Sequence, residues 1–184
     1  MPADRRLRAV ADALGLSQSP AAGSLGEGRM AGKSAIVTGA ANGIGRAIAL
    51  VLAEQGCVVT LADRDAAAGQ QVAAAIVATG GTATFVETDV ASEASIISLV
   101  ETAVANNGRL DALVNCAGVN ILARLLDTTI ERWDTAHDIN LKSVFIAIKA
   151  ALPHLMEHGN GAVVSVSSIQ GTRGFANFPA YGMI

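Results

Sequence analysis

Charge is scarce in this sequence: 16% of its 184 residues are Asp, Glu, Lys or Arg, against about a quarter in ordinary soluble domains. What charge there is nearly balances, 13 basic residues against 16 acidic for a formal −3, so the basic face that nucleic acid requires is missing. Aromatic residues make up only 3%. The apolar 51% is carried by Ala, Val, Ile and Leu, which excludes disorder of the whole chain. The longest unbroken apolar run, Ala47 to Ala53, stops at Glu54, far short of the roughly 18 residues that cross a bilayer, and no membrane partner is expected. Only two cysteines occur. Cys57 and Cys116 lie in or beside apolar runs without C-x-x-C spacing, so neither a disulfide framework nor a cysteine metal site is implied. A reducing, cytoplasmic setting is the default expectation.

The length suits one domain preceded by an extension. Residues 1–29 hold a short Arg-containing stretch and then a tract of Ser, Gly, Ala and Pro without periodicity, the composition of a flexible leader. Leu7, Val10, Ala11 and Leu14 would share one helical face near Arg5, Arg6 and Arg8, as in a transit peptide, but Asp4 and Asp12 are the acids such peptides avoid. An over-extended gene start is a further reading, because Met30 is followed at once by an ordinary first strand. From 30 to 184 short β-branched runs alternate with Ala-rich helical segments, the βαβ rhythm of a parallel sheet. Strands are expected over Ser34–Thr38, Val58–Ala62, Thr82–Glu87, Ala112–Asn115 and Ala162–Val166. Helices are expected over Ile44–Glu54, Ala66–Thr79, Glu93–Asn106 and Ile130–His158, the last kinked or broken at Pro153. Right-handed crossovers then give a doubly wound α/β sheet of Rossmann type.

Between the first strand and helix runs Thr38-Gly39-Ala40-Ala41-Asn42-Gly43-Ile44-Gly45. Glycines here permit a tight turn and close approach of a pyrophosphate to backbone N–H groups at a helix start. A tight turn without ligand has the same glycines. Asp63, 24 residues after Gly39, closes the second strand, where a carboxylate accepts hydrogen bonds from ribose hydroxyls and repels the 2′-phosphate of NADP. Position 42 offers no basic residue to offset that repulsion, although Arg64 follows the acid. NAD is therefore expected over NADP. A helix-capping acid is the plainer role for Asp63.

The run T-G-A-A-N-G-I-G resembles the T-G-x-x-x-G-x-G cofactor turn of the short-chain dehydrogenase/reductase family, and further matches follow in order. Asp89-Val90 resembles the family's Asp after the third strand, which contacts adenine. Asn115-Cys116-Ala117-Gly118 resembles N-N-A-G after the fourth strand, with Cys116 in place of an Asn that stabilises the sheet. Asn140 in D-I-N-L-K matches the helix Asn whose backbone carbonyl holds a water of the proton relay. Ser168 matches the catalytic Ser, and Tyr181, 13 residues later, the catalytic Tyr. The resemblance spans Gly32 to Ile184. It implies hydride transfer between a nicotinamide cofactor and a small alcohol or carbonyl substrate. It also implies homo-oligomers pairing through the helix that bears Asn140 and the next one.

These side chains suit that chemistry. Carbonyl reduction needs a proton donor beside the developing alkoxide, which a Tyr hydroxyl supplies, and a Ser hydroxyl can position the same oxygen. The plainer readings are a turn Ser and a packing Tyr. The resemblance also implies a Lys at position 185, one past the last residue given, Ile184, together with further strands, a lid and helices. A chain ending at Ile184 is expected to leave the Ala162–Val166 strand at an uncovered sheet edge, to fold poorly, and to lack activity as a truncated, non-catalytic nucleotide-binding module. His154-Leu155-Met156-Glu157-His158 fits the zinc pattern H-x-x-E-H. Its place in a last helical turn suits solvent-facing polar residues as well.

Overall fold

In this computed structural model residues 28–182 are described, so most of the 1–29 extension lies outside the described residues. Its last residue and the first of the domain are anchored together: Arg29 N–H donates to Gln55 Oε1 and Met30 N–H to Gln55 O.

Five parallel strands form one sheet in the order β3-β2-β1-β4-β5. They are β1 Ser34–Thr38, β2 Val58–Asp63, β3 Thr82–Glu87, β4 Ala112–Asn115 and β5 Ala162–Ser165. The connecting helices are α1 Gly43–Glu54, α2 Ala66–Ala78 and α3 Glu93–Asn107, then α4 Ile130–His137 and α5 Ser143–Glu157, with a short α6 at Pro179–Gly182. Alternation along β1 sorts the core into two layers. Ile36 packs with Leu113 against Leu99, Ala103, Ala151 and Leu155 of α3 and α5. Ala35 and Val37 face the other way with Val59, Leu61, Ala49, Val72 and Ile76, under α1 and α2. Both faces of β1 and β2 are therefore buried, the property that makes parallel strands read as unbroken apolar runs.

Local chemistry sets the helix ends. Asp65 caps α2 by accepting from Ala68 N–H, Ser92 caps α3 through Ser95 N–H, and Thr129 caps α4 through Arg132 N–H. At the foot of the sheet the buried Asp111 carboxylate accepts from Arg109 Nε and Nη2, Lys33 Nζ and Ser34 N–H, at 2.6 to 3.1 Å. That clamp joins the starts of β1 and β4.

The helix expected over Ile130–His158 is present as a continuous run from Ile130 to Glu157, made of α4, a π turn at Asp138–Lys142 and α5. The kink or break expected at Pro153 needs correction. The irregularity lies at the π turn, and Pro153 sits inside an unbroken α5. The run Ile130–Glu157 has the length and hydropathy of a membrane span, yet Ile146, Ala147, Ala151 and Leu155 are buried in the core. As expected, β5 lies at an edge of the sheet, opposite the β3 edge, and all four of its residues are exposed.

Candidate active site

The strand order changes direction between β1 and β4, and a crevice opens there at the carboxyl ends of the strands, the usual place for a ligand in such sheets. Its near wall is the glycine turn. Gly39 has φ +66°, and a Cβ on it would stand 2.8 Å from Ala117 Cα; a Cβ on Gly45 would stand 2.2 Å from Gly39 O. Only glycine lets the β1 loop touch the β4 loop and lets α1 tuck beneath it. Thr38 locks the approach from behind: its Oγ1 accepts from Cys116 N–H at 3.0 Å and Ala117 N–H at 3.1 Å. Asp63 closes the end of this wall, with Oδ2 accepting from Ala41 N–H and Oδ1 from Asp65 N–H, both at 3.0 Å. Each oxygen keeps further acceptor capacity for a ligand hydroxyl.

A second wall descends from β4. Asn115 donates through Nδ2 to Ser165 Oγ, coupling the ends of β4 and β5. Beyond it, the π turn presents Asn140 to the loop, where Nδ2 donates to Val119 O at 2.9 Å and Oδ1 accepts from Val119 N–H at 2.8 Å. π turns are frequent at functional sites because they re-aim one side chain. The Cys116 thiol lies in this wall, and burial raises its pKa.

The third wall follows β5. Ser168 Oγ accepts from Gln170 N–H at 3.2 Å, which leaves its own hydrogen free for another partner. Tyr181, on α6, lines the same space. The three walls enclose a cavity of about 690 Å³ bordered by the glycine turn, Asp63, Asn140, Ser168 and Tyr181. A second cavity of about 130 Å³ joins it at Gly39 and Asp63 and is lined by Arg64, Thr88, Asp89 and Val90. Asp89 is held there by its own turn, Oδ1 accepting from Ala91 N–H.

A model of the short chain dehydrogenase family matches residues 33–183. The chain belongs to that family. Cyclopentanol dehydrogenase of Comamonas sp. (strain NCIMB 9872) is 39% identical over 154 residues, 84% of this chain and 62% of that enzyme. The 2,5-dichloro-2,5-cyclohexadiene-1,4-diol dehydrogenase of Sphingobium indicum is 37% identical over 155 residues, 83% of this chain and 62% of the relative. A crystal structure of a dehydrogenase/reductase from Sinorhizobium meliloti 1021 superposes with TM-score 0.79 at 33% identity, over 83% of this chain and 60% of that one. The chain thus spans about three fifths of the length of these short-chain dehydrogenases.

Family membership implies a nicotinamide cofactor, and the residues present fit one. The close approaches at Gly39 and Gly45 make a cradle that any Cβ would fill, Gly43 is open to the crevice, and a carboxylate stands at the far end. Of the residues singled out from sequence, Gly39, Asn42, Gly43, Ile44, Gly45, Asp63, Ala117, Gly118, Asn140, Ser168 and Tyr181 line the large cavity. Asp89 and Val90 line the small one. Thr38 and Asn115 line neither; they are buried behind the wall and brace it. Sequence reasoning missed Val119, Asn120, Leu141, Val144 and the Ser165–Ser167 stretch. Their signal was positional, since all but Leu141 and Val144 follow the carboxyl end of β4 or lie at that of β5.

Proposed function

We propose that this short-chain dehydrogenase is an NAD-dependent oxidoreductase that interconverts a small secondary alcohol and its ketone. The observation that carries the reading is the convergence of Ser168 and Tyr181 on the cavity that the glycine turn and Asp63 border. The glycine turn and the start of α1 hold the pyrophosphate, Asp63 accepts from the adenosine ribose, and Asp89 and Val90 flank the adenine. The bound dinucleotide supplies or accepts the hydride. Tyr181 exchanges a proton with the reacting oxygen through its hydroxyl, and Ser168 donates to the same oxygen to hold it in place. The Asn140 backbone carbonyl holds a water that links Tyr181 to solvent, while its side chain fixes the loop. The free thiols Cys57 and Cys116 suit a cytoplasmic protein, and pairing with further copies of the chain belongs to the same reading. Names of relatives point to alicyclic alcohols as a first substrate panel.

The test is Tyr181→Phe in the protein expressed from its complete gene. Turnover should fall by two or more orders of magnitude with NADH affinity within about twofold, because the hydroxyl acts on the substrate oxygen. Retained turnover moves the proton donor elsewhere.

A further inference from the structure

Asn120 lines the large cavity, is exposed to it, and its carboxamide has no hydrogen-bond partner among the described residues. Its backbone is held on both sides. Val119 is gripped by Asn140 at 2.8 and 2.9 Å, and three residues on, Ala123 N–H donates to Asn177 O at 3.0 Å. The loop is anchored, while the Asn120 carboxamide, exposed and unbonded within the described residues, is free to turn its donor or its acceptor to a ligand. The other side chains nearest along this wall, Val119, Leu141 and Val144, are apolar. They suit the hydrocarbon of a substrate, and because the Asn140 carboxamide is taken up by Val119, Asn120 is the side chain of this wall that keeps both a donor and an acceptor for a second oxygen; Ser165 and Ser167 line the β5 wall.

We propose that Asn120 is a specificity-determining residue that hydrogen-bonds a second, neutral oxygen of the substrate, beyond the oxygen handled by Ser168 and Tyr181. This rests on the dehydrogenase reading above. The chemical class follows from the donor and acceptor inventory. A carboxamide both donates and accepts, matching a hydroxyl in either sense or a carbonyl as acceptor. A carboxylate would use only its donor side, and among the described residues the sole charged group lining the cavity is the anionic Asp63. Diols and hydroxyketones therefore fit better than monofunctional alcohols or hydroxyacids. Sites built to bond a substrate hydroxyl discriminate against analogues lacking it, because the site's polar group is then left unpaired.

The experiment measures kcat/KM for cis-1,2-cyclopentanediol and for cyclopentanol with the protein from its complete gene and with Asn120→Ala and Asn120→Ser. The expected result is a diol-to-monoalcohol ratio that falls about tenfold in Asn120→Ala, the effect of one hydrogen bond, with partial recovery in Asn120→Ser. NADH titration accompanies it. A ratio that moves less than twofold in Asn120→Ala overturns the assignment while the dehydrogenase reading stands. NADH affinity weakened tenfold by Asn120→Ala makes the residue a cofactor contact and likewise overturns it. Absence of turnover of both alcohols by the unsubstituted protein overturns the dehydrogenase reading itself, and this assignment with it.

Discussion

Asn140 holds the backbone of Val119 in both directions at once, donating to its carbonyl at 2.9 Å and accepting from its N–H at 2.8 Å. One amide side chain on a helix thereby substitutes for a strand neighbour and pins the loop that follows β4. Asn140→Ala leaves two backbone groups of Val119 without protein partners, at a cost of about 1 to 3 kcal/mol. The expected outcome is a lower melting temperature together with weaker NADH binding, read by thermal unfolding and by titration. Asn140→Asp keeps the acceptor and loses the donor, so it should fall between the two.

Cofactor choice is the second prediction. Asp63 is oriented by Ala41 and Asp65 N–H groups, so on the proposed reading a 2′-phosphate bound beside it would meet a fixed negative charge. NAD should bind at least tenfold more tightly than NADP, about 1.4 kcal/mol, and Asp63→Ser should narrow the gap. Tighter binding of NADP in parallel titrations would remove Asp63 from this role.

Acid sensitivity follows from the clamp at Asp111. Burial by itself would raise the Asp111 pKa, but hydrogen bonds from Arg109, Ser34 N–H and Lys33 outweigh it and hold the carboxyl far below the usual carboxylate range. A depressed folded-state pKa means that the unfolded chain takes up the proton first as pH falls. The clamp's contribution is therefore complete above about pH 4, the ordinary aspartate value, and is lost progressively below it. Asp111→Asn should melt at lower temperature than the unsubstituted protein at pH 7, and the difference should shrink below pH 4. Melting curves at pH 7, 4 and 3 check the sign.

The edge strand gives the fourth. Val164 in β5 is 54% exposed and Val163 40%, beside backbone groups that no sixth strand pairs among the described residues. A preparation of residues 1–184 alone should self-associate, show little or no dehydrogenase activity, and become more monomeric when Val164 is replaced by Lys, because charge on an edge opposes strand addition. Sedimentation velocity of the two forms measures this. A monodisperse, active 184-residue monomer would contradict it.

The strands expected to end at Thr38, Asn115 and near Ala62 were legible to within a residue because burial forces continuous β-branched and apolar runs, whereas the one ending at Glu87, with no buried residue, was marked by its Thr, Phe and Val content alone. Glycine positions marked the ligand crevice for a similar reason: at Gly39 and Gly45 the need for no side chain is visible in the residue type itself. The π turn was not legible. Asp138 to Lys142 has ordinary helical composition, and the extra residue per turn is held by contacts between Asn140 and a loop 21 residues upstream. Pro153 misled because its missing N–H falls near the end of α5, on an exposed position, where the helix accommodates it. Asn120 escaped notice for the opposite reason. An Asn in a loop is common, and only the enclosing walls distinguish it.

That same π turn sets the rotational phase between chemistry and core. Within it Asn140 bonds the β4 loop, and beyond it Ile146, Ala147, Ala151 and Leu155 pack into the core. Deleting a single residue from Asp138–Lys142 to restore a regular helix would turn one set about 100° relative to the other. Either the site or the core would lose its alignment. The segment is consequently intolerant of length change, though each of its residues taken singly looks replaceable, and single-residue deletions there should be far more damaging than most substitutions at the same positions.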